Sequence, residues 1–344
     1  MPLALGIAII GAGAMGREHA ARIAANPRCR LLAVADPAPA AAIDGASRFD
    51  SVAGLLANHR PAGAIVATPT HLHASAAMAC IEAGVPVLIE KPVAASVASG
   101  EAIASAAERP GVRVLVGHHR RYSPAMEAAQ AAIAAGRLGR IAALNATTVF
   151  HKPDAYFETE WRRGPSGGPI LINLVHDIDS MRALAGEIIA VQAAASNAAR
   201  GFAVEDTAAV ILEFACGALG TIVISDACVA TRSWEHTSGE NPIYPRDAAE
   251  DCLFIAGTRG SLAIPTMKLW TQEGPRSWTE AVVKSQIEFT PADPLARQLD
   301  HFLDVIEGRA APLVTARDAL RTLAATLAVS ESAHTRRRIE LTPA

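Results

Sequence analysis

The sequence predicts an α/β chain of two domains: a doubly wound parallel sheet over residues 1–120, then an α/β domain with an open, mostly antiparallel sheet over residues 121–344. Three observations predict it. Strand-length apolar runs alternate with helix-length segments as far as Val116, the pattern of successive βαβ units. The first of those runs opens on a glycine-rich turn, Gly11-Ala12-Gly13-Ala14-Met15-Gly16. From Gly139 onward, β-branched and alternating segments joined by short turns replace that pattern, which marks a change of architecture.

A chain of 344 residues has the length for two sizeable cores. Hydrophobic residues make up 51% and aromatics only 4%, so those cores are aliphatic. The formal charge of −3 leaves no basic face for a nucleic-acid partner, and no apolar run reads as a membrane span. The apolar start lacks a basic leader and runs straight into the glycine turn, so it reads as part of the fold. Cys29, Cys80, Cys216, Cys228 and Cys252 are odd in number and show no CxxC spacing, so neither disulfides nor a metal site are expected. The expected compartment is cytoplasmic.

Residues 5–10, LGIAII, form the first buried strand, and each glycine after it has a task. Gly11 makes the tight turn, Gly13 lets the backbone approach a pyrophosphate, and Gly16 lets the helix pack on the strand. Ala14 and Met15 open that helix, whose first N–H groups face the phosphates, and His19 and Ile23 continue it. The second strand, Leu31–Ala35, ends in Asp36, where a carboxylate binds ribose hydroxyls and repels a 2′-phosphate. This context predicts a dinucleotide, NAD in preference to NADP.

The third strand, Ala64–Ala67, ends in Thr68-Pro69-Thr70 before a helix over 71–84 that carries His71 and His73. VPVLIEKP, residues 85–92, then reads as a strand buried on both faces that meets charge at its carboxyl end, where ligands bind in open α/β sheets. Pro92 restricts Lys91 to extended backbone and so fixes the place of its ammonium. A helix over about 96–109 leads to a fifth strand, Val112–Val116, and to the string Gly117-His118-His119-Arg120-Arg121-Tyr122. The cofactor is expected against Gly11, Gly13, Ala14, Met15, Gly16, Asp36, Thr68, Pro69, His71, His73, Glu90 and Lys91. The basic string suits an anionic substrate, although a solvated loop is the other reading of each cation.

After a helix from Pro124 to about Gly136, the predicted strands are Ile141–Phe150, Ile188–Ala195, Thr207–Phe214, Ala218–Ser225, Cys252–Gly257 and Ser261–Ile264. Between the first two lies a loop built on Gly164, Pro165, Gly167, Gly168 and Pro169, followed by a helix on which Asn173, His176 and Ser180 share a stripe. Leu171, Leu174, Val175 and Ile178 occupy its other side. Polar residues on such a helix cost free energy unless they reach partners or a ligand. His151, Trp161, Arg162 and Arg163 flank the loop, and arginine forks suit carboxylates. Pairing with Asp154, Glu158 and Glu160 is the alternative. Helices over 295–307 and 315–332 are expected to pack at the domain junction.

With GAGAMG at 11–16, ATPTHLHASAAMACIEAGVPVLIEKP at 67–92, GHHRRYSP at 117–124 and GGPILINLVHDID at 167–179, nearly the whole chain resembles the oxidoreductases grouped as the Gfo/Idh/MocA family, with glucose–fructose oxidoreductase, inositol 2-dehydrogenase and MocA. The resemblance implies a Rossmann domain that binds nicotinamide cofactor, an open-sheet domain that joins subunits as homodimers or homotetramers, and a small-molecule sugar, cyclitol or related alcohol as substrate. It implies that Lys91 contacts cofactor and substrate and that His176 is catalytic. One position departs from the family pattern: many members carry an aspartate four residues before that histidine, where this chain has Ile172 and then Asn173. Lys91 and His176 are therefore the expected catalytic pair, with Arg120, His151, Trp161, Arg162, Asn173 and His176 toward substrate. Removing hydride from an alcohol carbon requires a base for the hydroxyl proton, a duty that suits His176, while Lys91 stabilises the alkoxide. An NAD-using glycosidase and a non-catalytic nucleotide-sensing regulator are the alternative readings.

Overall fold

The computed structural model describes residues 4–38, 42–164, 167–272 and 274–342; Pro165 of the predicted loop lies outside them. The chain folds as two compact units, Met1–Tyr122 with Pro294–Leu323 and Ser123–Asp293 with Ala324–Ala344.

In chain order the first unit holds β1 (Leu5–Ile10), α1 (Ala14–Ala25), β2 (Cys29–Ala35), β3 (Ser47–Phe49), α2 (Val52–Asn58) and β4 (Gly63–Val66). It continues with α3 (His73–Glu82), β5 (Val87–Glu90), α4 (Val97–Ala107) and β6 (Val114–Gly117). The second unit holds α5 (Pro124–Ala134), β7 (Ile141–Val149), α6 (Val175–Ala185), β8 (Ile188–Ser196), β9 (Thr207–Phe214) and β10 (Leu219–Ser225). After α7 (Trp234–Ser238) come β11 (Leu253–Gly257), β12 (Gly260–Ile264), β13 (Lys268–Thr271) and β14 (Val283–Gln286). The chain closes with α8 (Pro294–Ile306), α9 (Ala316–Thr335) and β15 (Ile339–Glu340).

The first sheet is parallel throughout, in the order β3-β2-β1-β4-β5-β6. Strand order reverses between β1 and β4, and such a switch point opens a crevice at the carboxyl ends of the strands. Ile7, Ile9, Ile65, Leu88 and Leu115 are fully buried, as strands covered on both faces require. Leu299, Phe302 and Leu303 of α8 complete this core. Gly63 makes room for them, since a Cβ there would stand 2.5 Å from Ile306 Cδ1. The sequence reading had five strands here; β3 escaped it because three residues, two of them polar, carry no apolar run.

The second sheet follows the order β14-β13-β12-β11-β7-β10-β9-β8-β15, antiparallel except where β7 pairs with β10. Alternation along β10 turns Gly220, Ile222 and Ile224 inward, against a core that includes Met126, Ile178, Met181, Leu184 and Val329. On the outer face Ile211, Leu219, Val223 and Phe254 remain 39% to 57% exposed. β13, β14 and β15 were not expected: β13 is four residues long, β14 is wholly exposed and β15 is two residues long.

Ile170–Leu174 forms a π-turn that runs into α6. α6 then departs from the expected single polar stripe. Every residue from Val175 to Arg182 is buried, Asp177 and Asp179 included, so polar groups lie on several sides of a helix enclosed all round. Thr148 Oγ1 meets part of that demand by donating to Asp177 Oδ2 at 2.7 Å.

Candidate active site

At the switch point the loop after β1 presses on the loop after β4. Gly11 has φ +91°, and a Cβ there would stand 2.7 Å from the backbone of Ala67 and Thr68. A Cβ on Gly16 would stand 2.0 Å from Gly11 O, so fold geometry requires both glycines. Gly13 differs: it is exposed, and beyond its chain neighbours no atom of the described residues lies within 4 Å of where its Cβ would be. The chain leaves open space at the N-terminus of α1, whose first turn no side chain caps. A dinucleotide pyrophosphate fits that cradle, with Ala14 and Met15 in the turn that would hold it.

Asp36 stands beside the same loop. Its Oδ2 accepts from Ala12 N at 2.8 Å and its Oδ1 from Ala38 N at 2.9 Å. Each oxygen retains a second lone pair toward a ribose hydroxyl. After β4, Thr68 keeps an enclosed Oγ1 that has no hydrogen-bond partner among the described residues, while Pro69 and His71 are exposed.

His73, expected against the cofactor, is 1% exposed, with Nδ1 2.8 Å from Pro92 O and Nε2 2.8 Å from Thr68 O, so its ring braces two loops. Burial pushes its pKa below the usual imidazole range, although both carbonyls and Glu90 oppose this.

β5 ends in Glu90, which is buried with its Oε1 2.7 Å from His19 Nε2 of α1. Gly117 on the neighbouring β6 leaves the space, since a Cβ there would stand 3.2 Å from that oxygen. Burial would raise the Glu90 pKa; the His19 hydrogen bond and the charges of His19, Lys91 and His119 outweigh it and hold the carboxylate below its ordinary range. Its second oxygen accepts from Lys91 N at 3.2 Å. Lys91 itself is half-buried, and the Lys91–Pro92 peptide is cis. Two buried histidines thus brace the turn that presents the Lys91 ammonium: His19 through Glu90 and His73 through Pro92. Sequence reasoning placed His19 on α1 without a role. A histidine on the buried stripe with Ile23 needs an acceptor, and the carboxylate closing a buried strand was the available signal.

The basic string after β6 disperses. His118 and Arg120, the latter expected toward substrate, are 1% and 2% exposed. Arg121 pairs with Asp318 at 3.3 Å, and Tyr122 O accepts from Arg297 Nη1 at 2.6 Å.

In the second unit β7 leads to His151, which is exposed and bridges Ala227, and then to Lys152, which is 7% exposed. Lys152 Nζ donates to Asn173 Oδ1 at 2.9 Å and pairs with Asp226 Oδ2 at 3.1 Å. Asp226 Oδ1 takes Arg200 Nε at 3.2 Å. Burial pushes the Lys152 pKa below the usual ammonium range, against the pull of Asp226. Asn173 sits in the π-turn, and His176, one turn on, is 7% exposed. Ser180 is buried, and its Oγ has no hydrogen-bond partner among the described residues. Trp161 is 52% exposed, with the Arg162 guanidinium 5.6 Å from its ring. Lys152, Asp226 and Arg200 were missed. A legible signal existed, because Lys152-Pro153 repeats at the exit of β7 the Lys91-Pro92 pattern at the exit of β5.

Two family models match in succession: "Oxidoreductase family, NAD-binding Rossmann fold" over residues 5–118 and "GFO/IDH/MocA C-terminal domain" over residues 126–263. An inositol 2-dehydrogenase of Rhizobium meliloti is 25% identical over 342 residues, which cover 97% of this chain and 98% of that protein. A 1,5-anhydro-D-fructose reductase of Ensifer adhaerens is 28% identical over 80% of this chain and 78% of its own. The WlbA dehydrogenase of Bordetella pertussis, solved with NADH and UDP-GlcNAcA, superposes with a TM-score of 0.79 at 24% identity, over 99% of this chain and all of that one, and so shares the fold. No helix among the described residues is long and apolar enough to cross a membrane. With these two models matched in succession and a relative aligned over nearly its full length, this chain belongs to the GFO/IDH/MocA family of NAD(P)-dependent oxidoreductases.

Proposed function

We propose that the chain catalyses hydride transfer between nicotinamide and a secondary alcohol or carbonyl carbon of a sugar, cyclitol, sugar acid or related cyclic diol. The seat of Lys91 carries this reading: a lysine at the ligand-binding end of a parallel strand, with both chain neighbours anchored to buried histidines. Bound NAD supplies the hydride acceptor, or as NADH the donor. Lys91 holds its ammonium at the substrate oxygen and stabilises the charge developing there, worth roughly 3–4 kcal/mol for one well-aimed donor. His176 takes the hydroxyl proton on oxidation and returns it on reduction, a duty for which imidazole is suited near neutral pH. Asn173 orients substrate but cannot accept a proton.

Asp36, with lone pairs toward the ribose and a charge that repels a 2′-phosphate, supports NAD over NADP. The names of the relatives, an inositol dehydrogenase and an anhydrofructose reductase, support a polyhydroxylated substrate. The outer sheet face with Ile211, Leu219 and Val223 supports assembly with a second copy of the chain, as a dimer or tetramer. Five unpaired thiols suit a reducing compartment, the cytoplasm. The test is to mix the purified protein with NAD and panels of cyclitols, aldoses, sugar acids and dihydrodiols and to follow NADH absorbance. A rise with one class is expected; silence across all of them, with NAD shown to bind, overturns the reading.

A further inference from the structure

The second unit brings two cations to one aromatic ring. Lys152 Nζ stands 4.8 Å from the centre of the Tyr156 ring, and the Arg162 guanidinium stands 4.0 Å from the same centre. Arg162 also donates Nη1 to Tyr156 O at 2.7 Å. Gly167 holds the loop tight behind it, since a Cβ there would stand 2.3 Å from Arg162 O.

The acids nearby are already engaged. Asp226 is shared by Arg200 and Lys152, and Asp206 Oδ2 accepts from Ala199 N and Arg200 N. Glu205 Oε1 accepts from Ile170 N at 3.1 Å, and the carboxyl, whose pKa burial pushes up, forms no ion pair among the described residues. Asp154 lies 3.7 Å from Arg200, not on Arg162. Among the described residues no carboxylate pairs with Arg162, and its enclosed Nε has no acceptor. Lys152 occupies the Asn173 amide oxygen, which leaves the amide NH₂ of Asn173 as a donor.

The cluster is therefore rich in donors and poor in acceptors, and a half-buried guanidinium whose one acceptor is a neutral carbonyl is costly. A ligand that brings two coplanar oxygens and a negative charge answers that need, because a carboxylate matches the guanidinium fork. We propose that Lys152, Arg162 and Asn173 form a carboxylate subsite, so that the preferred substrate is a polyhydroxylated acid and not its neutral counterpart. The inference rests on the dehydrogenase reading for the polyol part of that substrate, and it adds Lys152 to the groups that touch it.

Calorimetric titration of the full chain, saturated with NADH so that an alcohol finds no hydride acceptor, with D-glucuronate and with D-glucose tests the subsite without turnover. Glucuronate is expected to bind at least about tenfold more tightly, as a charge-assisted contact implies. In Arg162→Gln the ratio of the two affinities falls to near unity, and Arg162→Lys restores part of it. Removal of Arg162 orphans no carboxylate, so this variant keeps the wild-type melting temperature. Lys152→Gln, in which Arg200 still holds Asp226, also lowers the ratio. Equal affinities in the wild type, binding by neither sugar, or a ratio unchanged in both variants overturns the subsite. A chain that prefers the acid but never forms NADH keeps the subsite and loses the dehydrogenase reading; turnover of neutral polyols with no preference for acids does the reverse.

Discussion

His19 Nε2 and Glu90 Oε1 stand 2.7 Å apart at 1% and 6% side-chain exposure, joining the helix of the glycine loop to the strand end that carries Lys91. His19→Leu leaves the carboxylate buried without its partner and is expected to cost about 3–5 kcal/mol, read by urea denaturation. The double variant His19→Leu/Glu90→Leu regains most of that stability, because two apolar groups replace the pair. It does not regain turnover, since Lys91 N has lost its acceptor. A double variant as active as wild type would show that the pair serves stability alone.

Lys91→Ala separates cofactor binding from chemistry. NAD affinity stays within a few fold, because the glycine loop and Asp36 hold the cofactor, whereas kcat falls by about 10²–10³, as loss of one charge-stabilising donor predicts. Fluorescence titration with NADH and steady-state rates on the same preparation check the two numbers. Normal turnover in this variant removes the role assigned to the ammonium.

His176→Asn keeps a polar group on α6 but no base near neutral pH. Turnover is expected to fall by about 10²–10⁴ and to recover in part at alkaline pH, where hydroxide replaces the general base. A pH profile that keeps the wild-type shape and height places the proton acceptor elsewhere.

How much of this was legible follows from what each signal is made of. Gly11, Gly16 and Glu90-Lys91-Pro92 were legible because backbone constraints and a buried strand write themselves into short contiguous stretches. Five of the six strands of the parallel sheet were legible as apolar runs, whereas β3, β13, β14 and β15 are too short or too polar to carry one. Side-chain pairings were not legible, because sequence distance hides them: His19 and Glu90 lie 71 residues apart, and Arg121 and Asp318 lie 197 apart. The burial of Arg120 and His73 was not legible either, because a charged or imidazole side chain in a loop string carries no sign of what will enclose it. The π-turn at Ile170–Leu174 also could not be seen, since an α-helix and a π-turn share the same apolar spacing over five residues.

Acid weakens the brace at His73. Its folded pKa lies below the unfolded value because burial disfavours the imidazolium. Above about pH 6.5 both states are neutral and the contribution to stability is complete; as pH falls the unfolded chain takes up the proton first, and stability drains until the folded pKa is passed. Unfolding midpoints in urea should therefore fall between about pH 7 and 5, and His73→Asn should flatten that slope. Glu90, held low, adds its own loss only below about pH 4. An unchanged slope in His73→Asn assigns the acid sensitivity to other groups.

Gly13 and Gly16 make the sharpest contrast, since one serves the ligand and the other the chain. A Cβ at Gly16 collides with Gly11 O, so Gly16→Ala must displace α1 from β1 and is expected to lower stability by more than about 2 kcal/mol. A Cβ at Gly13 meets nothing within 4 Å, and its backbone lies at φ −66°, which alanine adopts without strain. Gly13→Ala should melt at or slightly above the wild-type temperature, because alanine restricts the unfolded chain by about 0.4–1 kcal/mol. Its methyl group points into the space where a pyrophosphate approaches, so NAD affinity should fall at least about tenfold. Thermal melts with and without NAD read both effects in one experiment: wild type gains stability from NAD, Gly13→Ala keeps the basal melt and loses the gain, and Gly16→Ala loses both. A Gly13→Ala protein that binds NAD as wild type does would move the pyrophosphate away from this turn.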